Sequence, residues 1–135
     1  MTDATAVIVD LLGSGHAVQF QARGDSMDPL IRDHDYLHVE PMDQVRIGVI
    51  VLVLAARGLT AHRVIANRDG MIVTRGDNAP APDDPVPRGK VLGKVTAVIR
   101  DGREVKVHGV WSAATARRRF RFFVRRMLRA RKSGD

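Results

Sequence analysis

Arg-Asp-Gly occurs twice in this chain, at 68–70 and 100–102, each time between two runs rich in Val and Ile. Asp-Gly suits a two-residue hairpin turn, because both central positions there need a positive φ. "LTAHRVIAN" (59–67) and "MIVTRG" (71–76) flank the first turn; "KVLGKVTAVIR" (90–100) and "EVKVHGV" (104–110) flank the second. Two marked hairpins commit the chain to antiparallel β-structure. Other segments agree. In "HAVQFQA" (16–22), Val18, Phe20 and Ala22 share a face while Gln19 and Gln21 face outward. "DYLHVEP" (35–41) alternates and stops at a proline, and "GVIVLVL" (48–54) is a continuous apolar run of buried-strand length. A short turn around Arg57-Gly58 joins it to the next strand. Residues 3–13 read as a short amphipathic helix with Val7, Leu11 and Leu12 on one face, ended by Gly13 to Gly15. "DNAPAPDDPVPRG" (77–89) holds four prolines and reads as a long ordered loop or edge segment. The expected fold class is mainly β: short antiparallel strands around one core, with a short N-terminal helix.

Charge divides the chain. Residues 1–110 carry 13 Lys/Arg against 14 Asp/Glu, whereas residues 111–135 carry nine Lys/Arg and one Asp. The basic character therefore belongs to the tail, and two parts are expected: a body over 1–110 and a basic C-terminal helix over 111–135. In "TARRRFRFFVRRMLRARK" (115–132), Phe120, Phe123, Val124, Met127 and Leu128 recur at helical spacing among the arginines. Such a helix suits an anionic membrane surface, packing on the body or a partner, or, less well, nucleic-acid phosphates. Cysteine is absent, which excludes disulfides, thiolate zinc sites and cysteine nucleophiles. The longest apolar stretch, ten residues at 47–56, falls short of the roughly 20 that a spanning helix needs. The start, "MTDATAVIVD", does not look like a secretory signal. The expected location is cytoplasmic or peripheral at the inner face of a membrane.

Chemistry concentrates in three stretches: "GDSMDPLI" (24–31), "AHRVI" (61–65) and "TRGDNAPAPDD" (74–84). A serine hydroxyl needs a base for its proton and donors for the oxyanion it creates. An imidazole, with an unperturbed pKa of about 6.5, accepts a proton near neutral pH, and a carboxylate on its other nitrogen fixes the tautomer and stabilises the imidazolium. In this order the three stretches resemble the type I signal peptidases and the related self-cleaving SOS-response repressors, over about residues 18–100. That resemblance implies a serine-type endopeptidase without a cofactor or metal. It makes Ser26 the nucleophile and His62 the general base, as in the histidine-type archaeal and endoplasmic-reticulum branch rather than the bacterial lysine type. It offers Asp84, then Asp83, then Asp77 as assisting acids. It also implies a substrate cleft around Gly24, Asp25, Met27 and Pro29, with backbone amides near Ser26 as oxyanion donors. None of the four lysines stands at the base position. Two departures are visible: Gly48-Val49 replaces the usual Gly-Asp before the buried strand, and only a short helix precedes the body where signal peptidases carry membrane-spanning segments.

Each residue also has a plainer reading. Ser26 suits a polar turn, His62 a packed strand position, Asp77 an Asx-turn, and Met27 an apolar gap. His16, His34, His38 and His108 show no metal-ligand spacing. The expected substrate is a peptide or precursor protein bound in extended form against a strand edge. The alternatives are a catalytically silent peptide-binding module of the same fold, or a self-cleaving regulator whose basic tail binds DNA.

Overall fold

The computed structural model describes residues 3–107. The boundary expected at 110 and the basic helix over 115–132 lie outside the described residues, as does His108. One helix, α1 (Asp3–Gly13), precedes eight strands: β1 (Val18–Gln21), β2 (Tyr36–Glu40), β3 (Ile50–Ala55), β4 (Gly58–Arg68), β5 (Met71–Arg75), β6 (Val86–Pro87), β7 (Val91–Arg100) and β8 (Arg103–Lys106). They form a single antiparallel sheet in the order β1-β2-β7-β3-β4-β5-β6, with β8 also on β7. The fold is mainly β, as the sequence implies.

Both Asp-Gly turns form as read. Asp69 and Gly70 have φ of 53° and 77°, and Asp101 and Gly102 have 52° and 75°. Two consecutive left-handed residues match the twist of the flanking strands. They fix Arg68 opposite Met71 and Arg100 opposite Arg103. β7 is long enough for three partners. It pairs with β3 over Val91–Lys94, with β2 over Lys94–Ile99, and with β8 over Ala97–Arg100.

The continuous apolar run of β3 has a direct cause. Ile50 and Leu52 point into one buried cluster, with Leu12, Met27, Ile31, Leu37, Val39, Val95 and Val98. Val51 and Val53 point into a second, with Val64, Ile72 and Val91. A strand covered on both faces has no solvent side to alternate toward. Each of the four β3 side chains is at most 3% exposed, and burying one stabilises by about 1.5–3 kcal/mol.

The inward face of α1 differs from the expected one. Leu12 is buried and Ile8 packs beside it, whereas Val7 is 55% and Leu11 37% exposed. Residues four apart stack along a helix. The chain seats the Ile8–Leu12 row, which leaves the Val7–Leu11 row one position off the core.

The segment between β1 and β2 is tied at its base and anchored within. The Ala22 amide donates to Asp35 O (2.7 Å), and the His34 amide to Ala22 O (2.9 Å). Buried Asp35 accepts from Arg100 Nε (2.9 Å) and Nη2 (2.6 Å) and from the Arg32 amide (2.7 Å). Met27 and Ile31 are the apolar anchors, joined by an Ile31 amide to Met27 O bond of 3.0 Å. The Arg100 guanidinium holds the Asp35 carboxyl below its ordinary range, against the opposing effect of burial. Replacing Arg100 by Met leaves that carboxylate buried without its ion partner. We expect a loss of about 2 kcal/mol of stability, read as a lower urea midpoint with an unchanged slope.

Candidate active site

Three parts of the fold converge on one point. Ser26 stands in the tied segment between β1 and β2, His62 on β4, and Asp83 in the proline-rich segment after β5. His62 Nε2 lies 2.9 Å from Ser26 Oγ, and His62 Nδ1 lies 2.5 Å from Asp83 Oδ2. With Nδ1–H donated to the carboxylate, Nε2 is left as the acceptor for the hydroxyl proton. His62 is buried and Ser26 half-buried, which limits competing water and strengthens the polar contacts.

The acid on the imidazole is Asp83, the second of the three that the resemblance offers, and not Asp84, which it offers first. The Asp83 amide donates to Thr74 O (2.8 Å), which draws the irregular segment onto the end of β5. Thr74 Oγ1 also donates to Asp83 Oδ2 (2.8 Å). The next residue, Asp84, is exposed and makes no hydrogen bond to His62. Burial opposes ionisation of Asp83, but the hydrogen bonds from His62 and Thr74 outweigh it and hold its carboxyl below the ordinary range. The charge of buried Arg75 acts in the same direction.

Asp77 does something different. Its carboxylate takes two parallel bonds from Arg63, Nε to Oδ1 at 2.9 Å and Nη2 to Oδ2 at 2.8 Å, with both side chains under 10% exposed. Arg63 Nη1 also donates to Gly48 O (2.8 Å). Gly48 therefore contributes a carbonyl at the position where the related pattern goes on to an acid. Its neighbours fasten the serine segment: the Asp77 amide reaches Met27 Sδ (3.2 Å), the Asn78 amide reaches Ser26 O (2.8 Å), and Asn78 Nδ2 reaches Asp25 O (3.0 Å).

A cavity of about 200 Å³ opens beside Ser26. Gly24 and Met27 line it, together with Phe20, Ile31, Leu59 and Ala61. Asp25 and Pro29, expected in the same cleft, do not: both are exposed, and the Asp25 carbonyl is turned toward Asn78. Gly24 takes φ 88° and donates its amide to Asp33 Oδ1 (2.8 Å).

Sequence reasoning missed Thr74, Arg63 and Gly76. A Cβ on Gly76 would lie 2.5 Å from Ser26 O and 3.1 Å from His62 Nε2, so only glycine lets the chain leaving β5 pass so close to the pair. Its place beside Asp77 was the available signal.

Residues 2–96 match the Peptidase S24-like family, and the chain belongs to it. No curated protein matches the chain. Among the described residues, no helix is long and apolar enough to cross a membrane.

Two outcomes follow from this geometry. Gly76→Ala should cost about 1–3 kcal/mol from crowding. It should also slow labelling of Ser26 by a fluorophosphonate about a hundredfold, because the serine is displaced. Asp35 and Asp83 both have folded pKa values below the unfolded value of about 3.9. Their stabilisation is complete above that value and is lost as pH falls through the folded pKa. Thermal midpoints should be flat from about pH 5 to 7 and drop below about pH 4.

Proposed function

We propose that this chain is a serine-type endopeptidase acting on peptides or precursor proteins in extended form, with Ser26 as nucleophile, His62 as general base and Asp83 as the acid that orients it. The continuous Ser26–His62–Asp83 hydrogen-bond chain, 2.9 Å and 2.5 Å long, carries this reading. Ser26 Oγ attacks the scissile carbonyl carbon while its proton passes to His62 Nε2. The imidazolium is stabilised by Asp83, which Thr74 holds in place. The oxyanion is held by backbone amides at Ser26. Collapse of the tetrahedral intermediate breaks the C–N bond, and His62 returns the proton to the departing amine. Water then attacks the acyl-serine by the same route, regenerating the hydroxyl and releasing the acid.

Extended binding is supported by the strand edges. Among the described residues, β1 pairs with β2 alone. β4 pairs with β5 from Arg63 onward, so among the described residues Gly58–His62 has β3 on one side and no strand on the other. These two edges flank the cavity at Ser26, and a peptide laid between them would add a strand. The cavity's modest volume and the Phe20, Leu59 and Ala61 side chains on its wall suit a small or medium side chain next to the cut. Processing of membrane-borne signal peptides and attachment through residues 115–132 remain part of this proposal, not of the family assignment.

The test uses a peptide library with small residues before the scissile bond. Wild type should cleave, with a rate that rises with pH as an imidazole loses its proton. Ser26→Ala and His62→Ala should lose activity to background, and Asp83→Asn should fall about 10³–10⁴-fold. Asp84→Asn should change little. Equal inertness of wild type and Ser26→Ala across the library would remove the peptidase reading.

A further inference from the structure

The cavity at Ser26 adjoins a second space across Leu59. Phe20, Arg23 and Leu59 line both it and a larger groove of about 1250 Å³ between α1, the end of β1 and the β3–β4 turn. The groove has an apolar floor that includes Ile8, Leu54 and Ala55. Among the described residues its charged lining is of one sign: Arg23, Arg57 and Lys90, with no acidic side chain. All three are exposed, and none forms an ion pair with another described residue. The body carries 13 Lys/Arg against 14 Asp/Glu. Three cations around one groove are thus a local concentration, not a sample of a basic surface.

We infer that this groove selects peptides bearing acidic side chains about three to five residues from the scissile bond; the inference deepens the proposed peptidase function and rests on it. Arg57, in the turn that leads into β4, precedes His62 by five positions. A peptide extended along β4 advances at the same rise, about 3.3 Å per residue, so it meets Arg57 about five residues from the reacting carbonyl. Arg23 lies three residues before Ser26 and lines both spaces. One-sided charge over an apolar floor attracts an anionic partner and raises its local concentration. An anionic lipid surface shares that chemistry. The peptide is favoured because the groove adjoins the cavity at Ser26 and is bordered by strand edges that no other strand covers among the described residues. Those edges hydrogen-bond to a peptide backbone and have no counterpart in a lipid headgroup.

The experiment uses the full chain with Ser26→Ala, so that binding is read without turnover. Three fluorescent peptides share a small-residue centre and differ only in acidic, neutral or basic residues three to five positions away on either side. Vesicles containing phosphatidylglycerol serve as the lipid probe. The same measurements are made with Arg57→Glu and Lys90→Glu added. The basic tail is present in both chains, so the difference reports the groove. The acidic peptide should bind about three- to tenfold more tightly than the neutral one at low salt and lose that advantage at high salt. Charge reversal should invert the order. The Ser26-intact chain should show the same ranking in kcat/KM. An unchanged preference after charge reversal assigns the selectivity to the tail and overturns the inference. So does equal binding of all three peptides, or a reversal that weakens only vesicle binding. A preference in binding with no cleavage of any peptide upholds the groove's selectivity and defeats the peptidase reading. Cleavage without acidic preference does the reverse.

Discussion

The buried pair between Arg63 and Asp77 is the contact on which the site is assembled. Arg63 follows His62 directly on β4, so the two side chains leave opposite faces of the strand. One face delivers the imidazole, and the other fixes the segment that carries Asp77 and Asn78. Through Asn78 and the Asp77 amide, that segment fastens the serine loop at Ser26 O, Asp25 O and Met27 Sδ. Taking two charges out of water is costly, and a buried pair often contributes little net stability. Here the two-pronged geometry also sets direction: it couples the orientation of β4 to the position of the serine loop, with Ser26 lying 36 residues from His62 in sequence.

The imidazole is held from a second side by shared use of one oxygen. Asp83 Oδ2 accepts both from His62 Nδ1 and from Thr74 Oγ1. Thr74 is 4% exposed and sits on a paired strand, so the loop carboxylate is referred to the sheet rather than to its own flexible backbone. The backbone bond between Asp83 and Thr74 repeats the attachment. Placing a site on strand residues and bringing the loops to it gives tighter geometry than building it from loops.

Much of this was legible in the sequence, and the limits have physical causes. Asp-Gly turns report their own backbone need, and β3 reports its two-sided burial through an unbroken apolar run. Ser26 and His62 were singled out by the resemblance that the three stretches carry in order, and the fold brings their side chains within 2.9 Å. The choice among Asp77, Asp83 and Asp84 was not legible, because a proline-rich segment has no period from which to infer direction. It was decided by one long-range bond to Thr74 O and by a bidentate partner, Arg63, that sat unread beside His62. The helix face failed for a related reason: Ile8 and Val7 are equally apolar, and only the packed sheet selects between the rows.

Among the described residues, the edges of β1 and β4 beside Ser26 carry no further strand, which leaves the sheet one stave short at the site. On the proposed reading a bound peptide completes it, with its hold distributed along a ladder of backbone hydrogen bonds, each contributing about 0.5–1.5 kcal/mol. Cutting that stave near its middle divides the ladder between two shorter pieces, and neither keeps the whole grip. On that reading, release of both products is built into the same incompleteness that would admit the substrate.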